Sequence, residues 1–191
     1  MIEAFLASLA VVAFAEIGDK TMLLALVLAA RLRAPWQILA GIFAATIVNH
    51  GLSAFLGREV AGLVDAHWFQ ITVALGFIAM AAWTLVPDKL DDDEDAFTHR
   101  GGPFLTTLVA FFLVEIGDKT QVATIALGAQ YDSVLAVAMG TTLGMMVANT
   151  PAVFLGEAIV ERVSLKATRI AAAAIFLVLG LLQLARVFAL I

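Results

Sequence analysis

The chain contains no cysteine, so it forms no disulfide and offers no thiolate to a metal. Charge is scarce as well: Asp, Glu, Lys and Arg make up 14% of the 191 residues. Polar sequence is scarcer still. Only one long polar stretch exists, Pro87-Asp88-Lys89-Leu90-Asp91-Asp92-Asp93-Glu94-Asp95. It has no EF-hand spacing and reads as a solvated, self-repelling linker. No basic segment precedes the first apolar run, which opens Met1-Ile2-Glu3. That run is therefore expected to be a retained span, not a cleaved signal peptide. Nothing points to nucleic acid or nucleotide binding, and no nucleophile stands beside a base.

What is present is hydrophobic sequence: 62% of residues are apolar, with a mean hydropathy of +1.00. A soluble domain runs at roughly 45–50%. This predicts an all-α membrane protein that crosses the bilayer several times. A helical span needs about 20 mostly apolar residues. Six runs qualify: Ala4–Ala30, Trp36–Leu56, Phe69–Val86, Phe104–Ala129, Val134–Leu155 and Thr168–Leu190. Arg31, Arg33 and Pro35 break the first from the second, and Gly101-Gly102-Pro103 opens the fourth. Trp36, Trp68 and Trp83 fall near span ends, as interfacial anchors do.

The second half repeats the first. Glu16-Ile17-Gly18-Asp19-Lys20-Thr21 returns unchanged as Glu115-Ile116-Gly117-Asp118-Lys119-Thr120, a shift of 99 residues without a gap. The same shift lays Gly41 on Gly140, Phe55-Leu56-Gly57 on Phe154-Leu155-Gly156, and Phe77 on Phe176. The organisation is a three-helix repeat (1–86), an acidic cytoplasmic linker (87–103) and a second three-helix repeat (104–191). Three is odd, so if every run spans, the second repeat enters from the opposite side. That is the inverted-repeat plan of many secondary transporters. Lys and Arg near span ends set orientation. Seven (Arg31, Arg33, Lys89, Arg100, Arg162, Lys166 and Arg169) fall on one side, against Arg58 and Arg186 on the other. The richer side is expected to be cytoplasmic, leaving both termini outside the plasma (inner) membrane.

Both strings lie inside apolar runs, where charge is costly and usually functional. On a regular helix Glu16, Asp19 and Lys20 share one face, as do Glu115, Asp118 and Lys119. Thr21 and Thr120 fall off that face unless the helix unwinds locally, and Gly18 and Gly117 weaken it at that point. In an inverted repeat the two strings converge. Four carboxylates against two ammonium groups leave a formal charge of −2. One divalent cation, or two protons, would neutralise it, which is the minimum chemistry of a cation/proton exchanger. The oxygen-only ligands suit Ca²⁺, Mn²⁺ or Mg²⁺ rather than Cu(I). A purely structural ion-pair network is the alternative, but buried pairs seldom add net stability over apolar residues.

Asn49, His50 and Asn149 are candidates for support. Each Asn can equally serve helix–helix hydrogen bonding, and His50 can be a ligand, a proton acceptor or a packed neutral imidazole. Gln121 offers an oxygen where the first half has Met22, which would bind a hard ion poorly. Gly41, Ala45 and Asn49, and Gly140, Gly144 and Ala148, form small-residue stripes that read as packing.

Two Glu-x-Gly-Asp-[Lys/Arg]-[Thr/Ser] strings, one per three-helix half and separated by an acidic loop, resemble the six-span calcium/manganese cation:proton exchangers. That family includes bacterial manganese exporters and Golgi and chloroplast manganese/calcium transporters. The resemblance covers nearly the whole chain. It implies that Glu16, Asp19, Glu115 and Asp118 bind the cation, with Lys20, Thr21, Lys119 and Thr120 as motif positions and Gln121 as the polar residue that often follows. Met22 departs from that pattern. For a short, bacterial-looking chain it implies manganese export from the cytoplasm, with Mn²⁺ or Ca²⁺ as transported substrate and no tightly bound cofactor. The expected partners are the ion, protons and the lipid bilayer. A homo-oligomer is left open.

Two other classes fit the sequence less well. A divalent cation channel would use carboxylate rings, but two internal Lys oppose cation flow. An intramembrane aspartyl protease would need Asp19 and Asp118 to share a proton, but each Asp is followed by Lys and preceded two residues earlier by Ile17 or Ile116. The expectation is a transporter, not an enzyme.

Overall fold

The structure is a computed structural model. It describes residues 1–62, 66–86, 102–156 and 164–188. The acidic linker through Gly101 lies outside the described residues, as does Arg162. Among the described residues there are eight helices and no strand. They are α1 (Ile2–Glu16), α2 (Lys20–Leu32), α3 (Pro35–Ala61), α4 (Ala66–Thr84), α5 (Gly102–Glu115), α6 (Lys119–Gln130), α7 (Val134–Leu155) and α8 (Leu165–Val187).

The first and fourth apolar runs are therefore not continuous helices. Each breaks inside its motif. Ile17 is extended, and Gly18 takes φ 84°, a left-handed conformation open to glycine and unfavourable to residues with a Cβ. Asp19 is then extended and occupies the N-cap position of α2, with no side-chain cap bond. The second copy breaks the same way: Gly117 takes φ 79°, and Asp118 does cap α6, accepting from the Thr120 N–H at 3.4 Å. One glycine per motif ends one helix and lets its Asp begin the next.

Elsewhere the caps follow the residues. Pro35 opens α3 at its first turn, where a missing N–H costs nothing. Ser133 and Ser164 cap α7 and α8 by accepting from Ala136 and Ala167. Pro151 sits inside α7, which stays helical through it. Among the described residues three helices, α3, α7 and α8, are long and apolar enough to cross a membrane, and α5 is a shorter apolar helix.

The halves interlock rather than sitting side by side. α3 packs against α5 and α6 of the second half, and α7 packs against α1 and α2 of the first. α3 and α7 also touch each other, as do α4 and α8. The contacts are reciprocal residue by residue. A Cβ on Gly41 would meet Phe104 O and Thr107 Cβ, and one on Gly140 would meet Phe5 O and Ser8 Cβ. Those are the same positions shifted by 99. Phe77 of α4 stacks on its own repeat partner, Phe176 of α8, with ring centroids 6.3 Å apart. The small-residue stripes are thus packing seams, as expected. Around them Ile38, Ile42, Phe111, Leu127 and Met145 are buried in a core shared by both halves.

One end of the molecule gathers Glu3 with Arg186, at 3.7 Å, and Arg58 with Asp132, at 3.5 Å. Asp132 follows α6 and lies beside the C-terminal end of α3. Its repeat partner Arg33 precedes α3. A 27-residue helix is about 40 Å long, so these two equivalent loops lie at opposite ends of α3.

Candidate metal and proton site

The two breaks bring both motifs together between the helices. Glu16 and Glu115 end α1 and α5 with no exposed surface, and Asp19 and Asp118 are each 5% exposed. Glu16, Asp19 and Asp118 offer carboxylate oxygens that all lie within 4.8 Å of one another. The group draws on both halves of the chain and holds three of the four motif carboxylates. Glu115 is set apart from these three and faces His50, whose Nε2 is 3.6 Å from its Oε2.

The threonines take the places that an unwound helix allows. The Thr21 hydroxyl donates to Glu16 Oε2, and the Thr120 hydroxyl donates to Glu16 Oε1 across the halves. Regular helices would have kept both off the motif face. The break supplies both contacts, because the residues after Asp19 and Asp118 start a new helix with a new rotational setting. Glu16 therefore holds a hydroxyl donor on each oxygen, which fixes its plane.

The same break redirects the lysines. Glu16 and Lys20 do not share one helix face, since the helix stops between them. Lys20 instead reaches Asp118 of the other half at 3.4 Å. Lys119 donates to Val86 O, just past the end of α4, at 3.0 Å and lies 5.9 Å from the centre of the Trp83 ring. Helix C-termini carry partial negative charge, so a cation there is favoured. The Trp83 ring thus presents its face to the Lys119 ammonium. The sequence signal for this, an aromatic residue one position before the end of α4, is too common to point to it.

The supporting residues divide. Asn49 donates to Phe112 O of α5 at 3.1 Å, a bond between the halves. Asn149 donates to Met145 O at 3.0 Å and to Met145 Sδ at 2.9 Å, and its Oδ1 has no hydrogen-bond partner. Gln121 Oε1 accepts from the Gly117 N–H at 2.7 Å, so it braces the second break. Met22, its counterpart, is buried in the core.

A cavity of about 10 Å³ adjoins the cluster, lined by Gly18, Asp19, Thr84, Lys119, Thr120 and Arg169 among others. Thr84 ends α4, and Arg169 is in the first turns of α8. The motif is thus approached from the end where α4 stops and α8 starts. Arg169 and Thr84 were not candidates from sequence. Nothing in their local pattern marks them, and only the packing of α4 against α8 brings them here.

The family model described as "Divalent cation/proton antiporter GDT1" matches residues 4–92 and 103–189, both halves of the repeat. The chain belongs to the GDT1 family. A Vibrio cholerae protein that bears the name of a manganese exporter is 47% identical over 175 residues, 91% of this chain and 86% of that protein. GDT1-like protein 5 of Arabidopsis thaliana is 30% identical, with 96% of each chain covered. A GDT1-like protein of Synechocystis is 29% identical over 87% of this chain and 89% of its own length. No solved structure matches. GDT1 membership makes this chain one of a family of membrane transporters for divalent cations, not of an enzyme family. Because the match divides at the linker, it covers the motif of each half.

Proposed function

We propose that this GDT1 protein exports Mn²⁺ from the cytoplasm in exchange for protons, with Ca²⁺ as the other candidate cargo. The observation that carries the proposal is the composition of the buried cluster. Glu16 and Asp19 of one half and Asp118 of the other converge within 4.8 Å, and Thr120 of the second half bonds Glu16 of the first. Hard oxygen donors of this kind suit Mn²⁺ and Ca²⁺. Either a divalent ion or protons on these oxygens would relieve the repulsion among three carboxylates this close together. Metal and protons then exclude one another on the same oxygens, and each arrival releases the other.

In this reading the broken helices α1–α2 and α5–α6 each span once, and with α3, α4, α7 and α8 they make six spans. The reciprocal contacts of Gly41 and Gly140, and the opposite placement of Arg33 and Asp132 along α3, support an inverted repeat with its axis in the membrane plane. Discontinuous helices meeting at mid-membrane are the usual way such repeats build an ion site. The cavity at the Thr84 and Arg169 end lies on the side richer in Lys and Arg, so the site faces the cytoplasm in this conformation. Both termini then lie outside the inner membrane. Lys20 and Lys119 balance the charge. Asn49, Gln121 and Thr21 hold the helices and the carboxylates in place, while Asn149 supplies a buried amide whose Oδ1 is unpartnered. The name of the Vibrio cholerae relative favours Mn²⁺ as the cargo.

Reconstituted vesicles carrying an outward proton gradient should accumulate Mn²⁺ against its own gradient, and a protonophore should stop them. Asp118→Asn should lower the rate about 100-fold, as loss of a metal ligand or its close support does. Passive Mn²⁺ flow that ignores the proton gradient would instead indicate a channel. Normal transport by Asp118→Asn would remove Asp118 from the mechanism.

A further inference from the structure

The two halves of the motif are not used alike. Glu16 receives a hydroxyl on each oxygen. Glu115, its repeat partner, has no hydrogen-bond partner on either oxygen, although it is fully buried. His50 beside it is also fully buried, and neither ring nitrogen has a hydrogen-bond partner. The closest approach, Nε2 to Oε2 at 3.6 Å, is too long for a direct bond. Four buried polar atoms without a protein hydrogen-bond partner thus lie together, and a bound ion would satisfy them. The spacing fits one. Two ligand atoms, each about 2.1 Å from a shared metal, stand about 3–4 Å apart depending on the angle between them.

The repeat adds a second observation. The 99-residue shift carries His50 of α3 onto Asn149 of α7. α3 packs against α5 and α6 as α7 packs against α1 and α2. Asn149 is fully buried too, and its Oδ1 is unpartnered. Each half therefore puts an unsatisfied ligand atom at the same register of its long helix. The first half supplies an imidazole nitrogen and the second an amide oxygen.

We infer that His50 and Glu115 form a second subsite for the transported ion, with mixed nitrogen and oxygen donors, and that His50 sets the preference for a transition-metal ion such as Mn²⁺ over Ca²⁺ and Mg²⁺. The Glu16, Asp19 and Asp118 cluster is all oxygen and by itself accepts any hard divalent ion. Imidazole bonds well to first-row transition metals, whereas Ca²⁺ and Mg²⁺ keep to oxygen. An ion that gains a bond to His50 on its way through is thereby selected. The inference rests on the reading of the motif as a cation site and adds the basis of its selectivity.

The test uses the full-length protein in lipid nanodiscs with Mn²⁺ alone, read by pulsed electron paramagnetic resonance. Bound Mn²⁺ should show coupling to a ligand nitrogen, and ¹⁵N-histidine labelling should change it. The coupling should persist when the other two histidines are replaced (His67→Gln with His99→Gln) and vanish in His50→Asn. In vesicles, His50→Asn should lower the ratio of Mn²⁺ to Ca²⁺ uptake by about 10- to 100-fold. Bound Mn²⁺ with no histidine nitrogen in the wild-type chain, or an unchanged uptake ratio in His50→Asn, would overturn the subsite and leave the carboxylate cluster standing. Absence of any bound Mn²⁺ would overturn the cation site itself and the subsite with it. The labelled wild-type measurement needs no variant to fold.

Discussion

Glu16 shows how one residue can be held by both halves of a chain. Its two oxygens take hydroxyls from Thr21 and Thr120, which are 5 and 104 residues away in sequence. Thr120→Val removes one donor while keeping shape. It should raise the Mn²⁺ concentration for half-maximal uptake about 10-fold, as loss of a bond to a metal ligand does, with thermal stability in detergent little changed. Gly18 and Gly117 are the next residues on which the site depends. Both have positive φ, so alanine strains either one by about 1–3 kcal/mol. They differ in what surrounds them. A Cβ at Gly18 would lie 2.6 Å from Leu165 Cδ2, while one at Gly117 meets nothing within 4 Å. Gly18→Ala should therefore lower the melting temperature more than Gly117→Ala. Equal effects would mean that Leu165 yields freely.

At the scale of the element, the interrupted helices are the decisive feature, and their seams with α3 and α7 hold them in place. The closest seam is between α3 and α6. A Cβ on Gly128 would fall on Ala54 O, and one on Gly57 on Ile125 O. Gly128→Val should destabilise the fold by about 1–3 kcal/mol through overpacking. Gly76→Ala, in a helix with open space around the position, should be neutral or slightly stabilising. Melting curves of the two variants check this. Much of this scale was legible beforehand. Pro35, Ser133 and the small-residue stripes mark their places in sequence, because caps and close helix approach need particular residue types. The breaks were legible only as a weakness at Gly18 and Gly117. A glycine inside an apolar run is compatible with a kinked helix, a close contact or a full interruption, and neighbouring helices decide among them.

Across the whole molecule, the two halves exchange partners. The proposal that they are inverted has a direct test, helped by the absence of native cysteine. Ala34→Cys and Asp132→Cys sit in or next to equivalent loops of the two repeats. In intact cells a membrane-impermeant thiol reagent should label Asp132→Cys and leave Ala34→Cys unlabelled until the membrane is opened. Labelling of both from outside would make the repeats parallel.

The sequence alone determined the helical membrane class, the internal repeat, the family resemblance and the residue types of the site. Each of these follows from composition or from a string long enough to be specific. Only the tertiary structure decided which carboxylates share a centre. The helix breaks rotate Thr21, Thr120 and Lys20 away from the settings a regular helix would impose. The exchange of partners between halves then puts Asp118 with Glu16 and Asp19, and Glu115 with His50. Two identical strings thus become unequal. Their surroundings come from helices that differ where the strings do not, at His50 against Asn149 and at Met22 against Gln121.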